Sequence, residues 1–304
     1  MTPTMRGALL PGLCLLACSS AEAIAHGFAG DRFFPATLLT DDPFVADEMS
    51  LPTLTVNPRD SDGSRETDLE IDIAKRLTPN FGVTFSDGWQ FLHVPGQRAV
   101  SGLETLETGM QYQLFIDGPH EAMALAGLNV SWAHTGRVNA LGADDFTTLS
   151  PTFDFGKGFG DLPESLKWLR PFAITGNLSI DFPTKTESAG NANPNNFNYG
   201  FAFEYSLEYL QHHVQDVGLA APFDRMIPLV EIALTTPFNR GQSGQTVGTV
   251  QPGIIWAGQY YQVGAELIVP VNNLTGHGIG GIVQFHLFLD DLFPNSIGRP
   301  LFGS

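Results

Sequence analysis

The sequence predicts an all-β fold: a single transmembrane antiparallel β-barrel of about twelve strands, with an N-terminal segment that plugs it from the periplasmic side. Three observations predict it. Apolar side chains recur at every second position in run after run, and many runs reach about ten residues, against five or six for a strand of a globular protein. The links between runs alternate between short turns and longer loops, as in bacterial barrels. Beyond the first residues no apolar run approaches the roughly 18 residues of a transmembrane helix, so any crossing is made by strands.

Residues 1–25 read as an export signal. Arg6 precedes an apolar run from Ala8 to Ala17, followed by small residues at Ala21, Ala23 and Ala25. Cleavage after Ala23 or Ala25 fits this pattern; Leu15-Leu16-Ala17-Cys18 also fits a lipobox, which would leave a lipidated Cys18 at the mature N-terminus. Both cysteines, Cys14 and Cys18, lie in this segment, so the rest of the chain has neither a disulfide nor a thiolate for a metal.

Residues 26–50 form the expected plug. Phe28, Phe33, Phe34, Leu38, Leu39, Phe44 and Val45 are too apolar for a solvated tail, and prolines interrupt any regular element. The barrel is assigned to residues 51–291 and a C-terminal tail to 292–304. The tail is also apolar, from Leu292-Phe293 to Leu301-Phe302, and with both termini periplasmic the two pieces can pack together across the lower mouth.

The strands follow in order. After a weaker run near Leu51 to Asn57, Leu69, Ile71 and Ile73 oppose Asp68, Glu70 and Asp72. Phe81, Val83, Phe85, Trp89 and Phe91 then share a face, beyond the turn Thr78-Pro79-Asn80. Met110, Tyr112, Leu114 and Ile116 oppose Glu107, Gly109, Gln111 and Gln113; Ala122 to Trp132 continues the alternation, with Glu121, Asn129 and Ser131 inward. A weak run at Phe146 to Phe155 leads to Ile174, Leu178, Ile180 and Phe182, opposed by Thr175, Asn177, Ser179 and Asp181. The clearest strand sets Phe197, Tyr199, Phe201, Phe203 and Tyr205 against Asn198, Gly200, Ala202 and Glu204. Val230, Ile232 and Leu234 oppose Glu231; Ile254 and Trp256 oppose Gln251 and Gly253; Tyr261 to Val271 opposes Gln262, Gly264 and Glu266. The last run sets Val283, Phe285, Leu287 and Leu289 against Gln284, His286 and Asp290.

Short links at Thr78 to Asn80, Asp117 to Pro119 and Ala257 to Gln259 fall at one end, and longer ones at the other. Two links break the rule, near Gly156 to Lys167 and His212 to Asp224; helical spacing of Leu207, Leu210 and Val214 predicts a short helix beside the second. Aromatic residues at strand ends, including Trp89, Trp132, Phe172 and Trp256, fit interfacial girdles.

Net charge is −17, with Lys+Arg 15 against Asp+Glu 32, which argues against a nucleic-acid partner. Inside a barrel the acids become candidates for a permeation path: Glu107, Glu121, Asp181, Glu204, Glu231, Glu266 and Asp290, with His286. They read equally as a hydrated interior satisfied by Gln, Asn and water.

Four stretches carry a resemblance: HGFAGDRFFPATLLTDDPFVADEMSLPT, VGLAAPFDRMIPLVE, TVGTVQPGIIWAGQYYQVGAELIVPVN and FHLFLDDLFPNSIGRPLF. They resemble a family of bacterial outer-membrane transporters named for the meta-cleavage pathway of phenol degradation, and the likeness spans nearly the whole exported chain. The resemblance implies a barrel in the outer membrane of a Gram-negative cell and passage of small molecules, hydrophobic or aromatic ones among them. It fixes no substrate, and no functional residue carries over. One departure is that the chain runs past its last strand, from Leu289 to Ser304, where many such barrels end on an aromatic.

Other readings are weaker. His26 would be a terminal copper ligand after cleavage at Ala25, but His212 and His213 point different ways on any regular element. His120 or His286 could serve a Ser-His-acid site, yet nothing in the sequence fixes a serine beside either. The expectation is a channel rather than an enzyme, with no catalytic residue, cofactor or metal. Its partners are outer-membrane lipid, the barrel-assembly machinery and a small solute. The alternative of another class is a secreted or lipid-anchored β-sandwich that binds carbohydrate.

Overall fold

The computed structural model describes residues 27–137, 141 and 143–303. The export signal, the lipobox at Cys18 and His26 lie outside the described residues.

Twelve long strands form the barrel: β1 (Glu48–Val56), β2 (Arg65–Thr78), β3 (Phe81–His93), β4 (Glu107–Asp117), β5 (Ala122–Ser131), β6 (Thr148–Gly158), β7 (Phe172–Pro183), β8 (Asn196–Tyr205), β9 (Met226–Pro237), β10 (Val247–Ala257), β11 (Tyr261–Pro270) and β12 (Gly280–Phe288). Each pairs antiparallel with the next, and β12 returns to β1 through pairs such as Val283 with Leu54, so the sheet has no free edge. A short segment, Val100–Leu103, extends the line of β4 along the outer half of β3. Closure replaces the sandwich alternative. A sandwich would bury its apolar face, whereas Phe85, Trp89, Tyr112, Phe153, Phe203 and Leu267 stand exposed on the outer wall, where lipid covers them.

Register fixes the two faces. Glu204 lies opposite Ala173 and Leu229, and Ala202 opposite Thr175 and Glu231; all are buried inside the barrel. Phe203, one residue on, faces outward beside Ile174 and Val230. A β-bulge between Gln113 and Phe115 turns Leu114, Phe115 and Ile116 all to the outside.

The turns at 79–80, 118–121 and 258–260 share one end with the start of β1 and the end of β12, the periplasmic end of a bacterial barrel. The loops at 94–99, 184–195 and 271–279 share the other. The two long exceptions are at the periplasmic end and fold into short helical segments: Glu164–Leu169 in the first, Leu207–Tyr209, Leu210–Val214 and Phe223–Arg225 in the second. The helix expected from Leu207, Leu210 and Val214 is therefore present.

The plug begins as a small hairpin, Phe28–Ala29 against Arg32–Phe33, then rises into the barrel and descends into β1, which starts at Glu48, ahead of the Leu51 boundary. Two apolar clusters hold it. Phe34, Phe44 and Ala46 pack with Met123 of β5 and Ala173 of β7. Leu38 packs with Ile227 and Leu229 of β9, Ile255 of β10, Ile268 of β11 and Ile282 of β12. Each buried Phe or Leu contributes roughly 1.5–3 kcal/mol, so these contacts order the segment. Room for the plug comes from inward glycines: a Cβ on Gly264 would lie 2.4 Å from Leu38 Cδ1, and one on Gly200 2.5 Å from Thr40 Cγ2.

The C-terminal tail differs from expectation. Leu301 and Phe302 hydrogen-bond through their amides to the carbonyls of Arg76 and Leu77, but Phe293, Ile297, Leu301 and Phe302 keep exposed side chains. The tail runs beside the end of β2 and adds no apolar side chains to the plug. The interior at that end is already filled by residues 34–46.

Candidate functional site

The plug is pinned by polar groups at its base, its flank and its tip. At the base, Arg32 forms a buried ion pair with Glu121 (3.3 Å) and lies 3.8 Å from the centre of the Tyr209 ring, while the Tyr209 hydroxyl donates to Glu121 (2.6 Å). Where the plug leaves the lumen, the buried Asp47 carboxylate accepts from Lys75 Nζ (2.6 Å), the Arg76 amide (2.8 Å) and Arg76 Nε (2.8 Å); Asp290 lies 3.6 Å from the same guanidinium. On the flank, Gln113 accepts from the Val45 amide at 3.0 Å and donates to the Pro43 carbonyl at 3.1 Å.

The tip is held by one carboxylate. Glu231, fully buried, accepts from the amides of Leu38 (2.8 Å), Leu39 (3.2 Å) and Thr40 (2.9 Å) and from the Thr40 hydroxyl (3.0 Å). Consecutive amides converging on an anion form a nest, which here binds the tip to the barrel wall. Glu266, also buried, lies over Gly253 on the neighbouring strand.

Beyond the tip lie three cavities whose walls carry carboxylates. A cavity of about 280 Å³ has the plug residues Thr37 to Asp42 on one side and Glu48, Glu70, Asp72, Glu107, Gln284 and His286 among its walls. Two wider cavities, about 490 and 540 Å³, lie toward the outer loops; the first includes Asp144 and Asp181, the second Glu66, Glu70, Asp87 and Glu104. Glu107 lines all three, and among the described residues no Lys or Arg lines any of them. Their carboxylates take hydrogen bonds from neutral donors: Ser131 Oγ donates to Glu107 (2.5 Å), Ser86 Oγ to Asp72 (2.6 Å), and Ser150 Oγ (2.7 Å) and Asn198 Nδ2 (2.9 Å) to Asp181. Neutral donors satisfy the oxygens without supplying a compensating positive charge.

Two acids of the plug tip, outside the spanning strands, feel that field. Asp41 faces the lumen, accepts from Asn177 Nδ2 (2.8 Å), and has its carboxyl raised to about 6 by enclosure in the barrel and by the charges of Glu107 and Asp72. Asp42 accepts from the Thr37 amide (3.0 Å) and is raised well above the usual carboxylate range by burial and then by Glu48.

The sequence-predicted residues therefore divide. Glu107 and Asp181 line the cavities toward the outer loops, and His286 lines the one at the plug tip. Glu231 and Glu266 lie behind the plug, and Glu204 is buried with Thr175 Oγ1 donating to it at 3.3 Å. Glu121 and Asp290 line none of these three cavities. Glu121 is in the turn after β4 and ties down Arg32; Asp290 follows β12 in a short helix and faces Arg76. Alternation extended past a strand's end no longer reports a face. Missed were Asp41, Asp42 and Glu48, which lie in the segment read only for its apolar residues, and Arg32 and Asp47, which anchor it. Glu70 and Asp72 were legible as inward from their alternation with Leu69, Ile71 and Ile73.

His286 does gain a serine and an acid. Ser50 Oγ is 2.9 Å from Nδ1, and Glu48 Oε2 is 3.2 Å from Nε2. With the ring proton on Nε2, the histidine donates to Glu48 and accepts from Ser50, bridging β12 to β1. Negative charge developing on an acyl substrate here would meet Glu70 and Asp72 instead of an oxyanion hole, so the trio reads as a seam between the first and last strands. Among the described residues no group of three or more His, Cys, Asp or Glu could hold a metal ion.

No family model and no curated protein matches the sequence. Among solved structures the chain is similar to the COG4313 outer membrane channel from Pseudomonas putida F1, at 12% identity and a TM-score of 0.52, over 80% of this chain and 95% of that one. The NanC porin aligns over 78% of this chain and 98% of its own, at 8% identity and a TM-score of 0.47. The first likeness supports the fold: a closed outer-membrane barrel.

Proposed function

We propose that the chain is an outer-membrane channel through which small solutes move passively, and that its lumen favours cations and neutral polar solutes over anions. The observation that carries this reading is the convergence of three polar cavities on Glu107 with no lysine or arginine among the described residues of their linings. A low-dielectric wall around uncompensated carboxylates concentrates cations and repels anions. The resemblance to the meta-cleavage transporter family supports small organic molecules as cargo, and the polar lining favours their polar or cationic members. Residues 27–47 are the closure of the periplasmic mouth, held by Glu231, Asp47 and Arg32.

The test is the reversal potential of the purified protein in a planar bilayer under a KCl gradient. Cation preference is expected, weakening in Glu107→Gln and Asp181→Asn while both variants keep the heat-modifiable band of a folded barrel. Anion preference, or a reversal potential indifferent to both substitutions, contradicts the reading.

A further inference from the structure

The two long periplasmic links, 159–171 and 206–225, are out of proportion to the other turns at that end; Arg32 of the plug takes Tyr209 from one and the carbonyls of Arg170 and Pro171 from the other, which leaves the segments Glu164–Leu169 and Phe223–Arg225 without a role at the plug. Both fold into short helical segments that pack against each other, yet no residue of Glu164–Leu169 or Phe223–Arg225 is buried. Their apolar side chains are left outside: Leu166, Trp168, Leu169 and Val217 are between 43% and 48% exposed, and Phe223 is 57% exposed. Polar contacts fix the backbone beneath them. Arg170 donates to the Leu162 carbonyl (2.8 Å) and to Glu164 (3.1 Å), and Glu164 also pairs with Lys167 (3.5 Å).

The patch is continuous with the lipid-facing wall. Phe172 at the start of β7 and Tyr205 at the end of β8 are cross-strand neighbours with ring centres 4.6 Å apart, and the Tyr205 hydroxyl reaches the Trp168 carbonyl at 3.5 Å. Lys167 lies 5.6 Å from the centre of the Trp168 ring, and Arg170 follows. Tryptophan and leucine beside lysine and arginine, at the edge of an apolar belt, is the composition of a segment lying in a membrane interface.

We propose that these two links form an apolar ledge that inserts into the inner leaflet of the outer membrane, with phospholipid as its partner. Leu166, Trp168, Leu169 and Phe223 enter the headgroup–acyl boundary, while Lys167 and Arg170 reach the phosphates. The ledge braces one side of the barrel, next to the turn that carries Glu121 and the plug base. It depends on the barrel being in a membrane and not on what the barrel conducts.

The absence of cysteine beyond residue 18 makes the test direct. Single cysteines at Leu166, Trp168 and Phe223 are spin-labelled in the full chain, reconstituted in phosphatidylethanolamine–phosphatidylglycerol vesicles, with the parent chain as labelling control. Leu267→Cys gives the lipid reference and Gln97→Cys, in an outer loop, the water reference. The expected result is a ratio of oxygen to nickel-complex accessibility several-fold above that of Gln97→Cys at all three ledge positions. A ratio equal to that of Gln97→Cys places the ledge in water and overturns the proposal. Protection from both reagents also overturns it, and assigns the patch to a protein contact such as a second copy. Heat-modifiability checks that each variant is folded, and three positions guard against the failure of one.

Discussion

At the scale of residues, the plug tip depends on Glu231 more than on any other side chain. Glu231→Ala would strand three amides that now share one carboxylate, and each buried unpaired donor costs about 1–3 kcal/mol. The expected outcome is a larger or more frequently open single-channel conductance with an unchanged heat-modifiable band. A pH dependence follows from the neighbouring aspartates. Seated in the barrel, Asp41 holds its proton up to about pH 6 against an ordinary 3.8, so the seated plug binds that proton more tightly than a released one. Seating is firmest below about pH 4, loses strength as pH rises through 6, and Asp42, raised for the same reason, carries the loss further. Conductance should therefore rise with pH across that window, and Asp41→Asn with Asp42→Asn should flatten the curve as read in bilayer recordings. None of this was legible from charge alone. Glu231 was marked as inward by its place between Val230 and Ile232, but its partners are backbone amides, which no side-chain pattern reveals.

At the scale of elements, the strands were the legible part because lipid on one side and water on the other impose strict alternation. Where the plug replaces water, the inner face turns apolar and alternation fades. Ile254-Ile255, Leu267-Ile268 and Ile282-Val283 each set one side chain on lipid and one on the plug, so the sequence shows only a continuous apolar run. Inward glycines such as Gly200 and Gly264 were recognisable as inward, but not as clearance for Thr40 and Leu38. The outer face gives its own prediction. Phe203→Arg or Leu267→Arg puts a guanidinium on the lipid wall at a cost of roughly 2–4 kcal/mol near mid-membrane. Both should lower the yield of heat-modifiable barrel in outer-membrane fractions, whereas Glu107→Gln should assemble as the parent does. Normal assembly of the two arginine variants would mean that the faces are inverted.

At the scale of the whole molecule, carboxylate-lined cavities lie between the outer loops and an N-terminal segment packed inside the barrel. Burial explains why the N-terminal segment was recognisable and the C-terminal tail misleading. Both are apolar, but Phe34, Phe44 and Leu38 have facing residues inside the barrel, while Leu301 and Phe302 stay exposed beside β2. The most direct measurement is single-channel recording, under one KCl gradient, of the full chain and of a chain lacking the plug from His26 to Asp47. An acidic channel closed by its own N-terminus predicts a folded deletion variant with clearly higher conductance and a cation-selective reversal potential. A folded deletion variant whose conductance equals that of the full chain, or whose reversal potential is anion-selective, would contradict it.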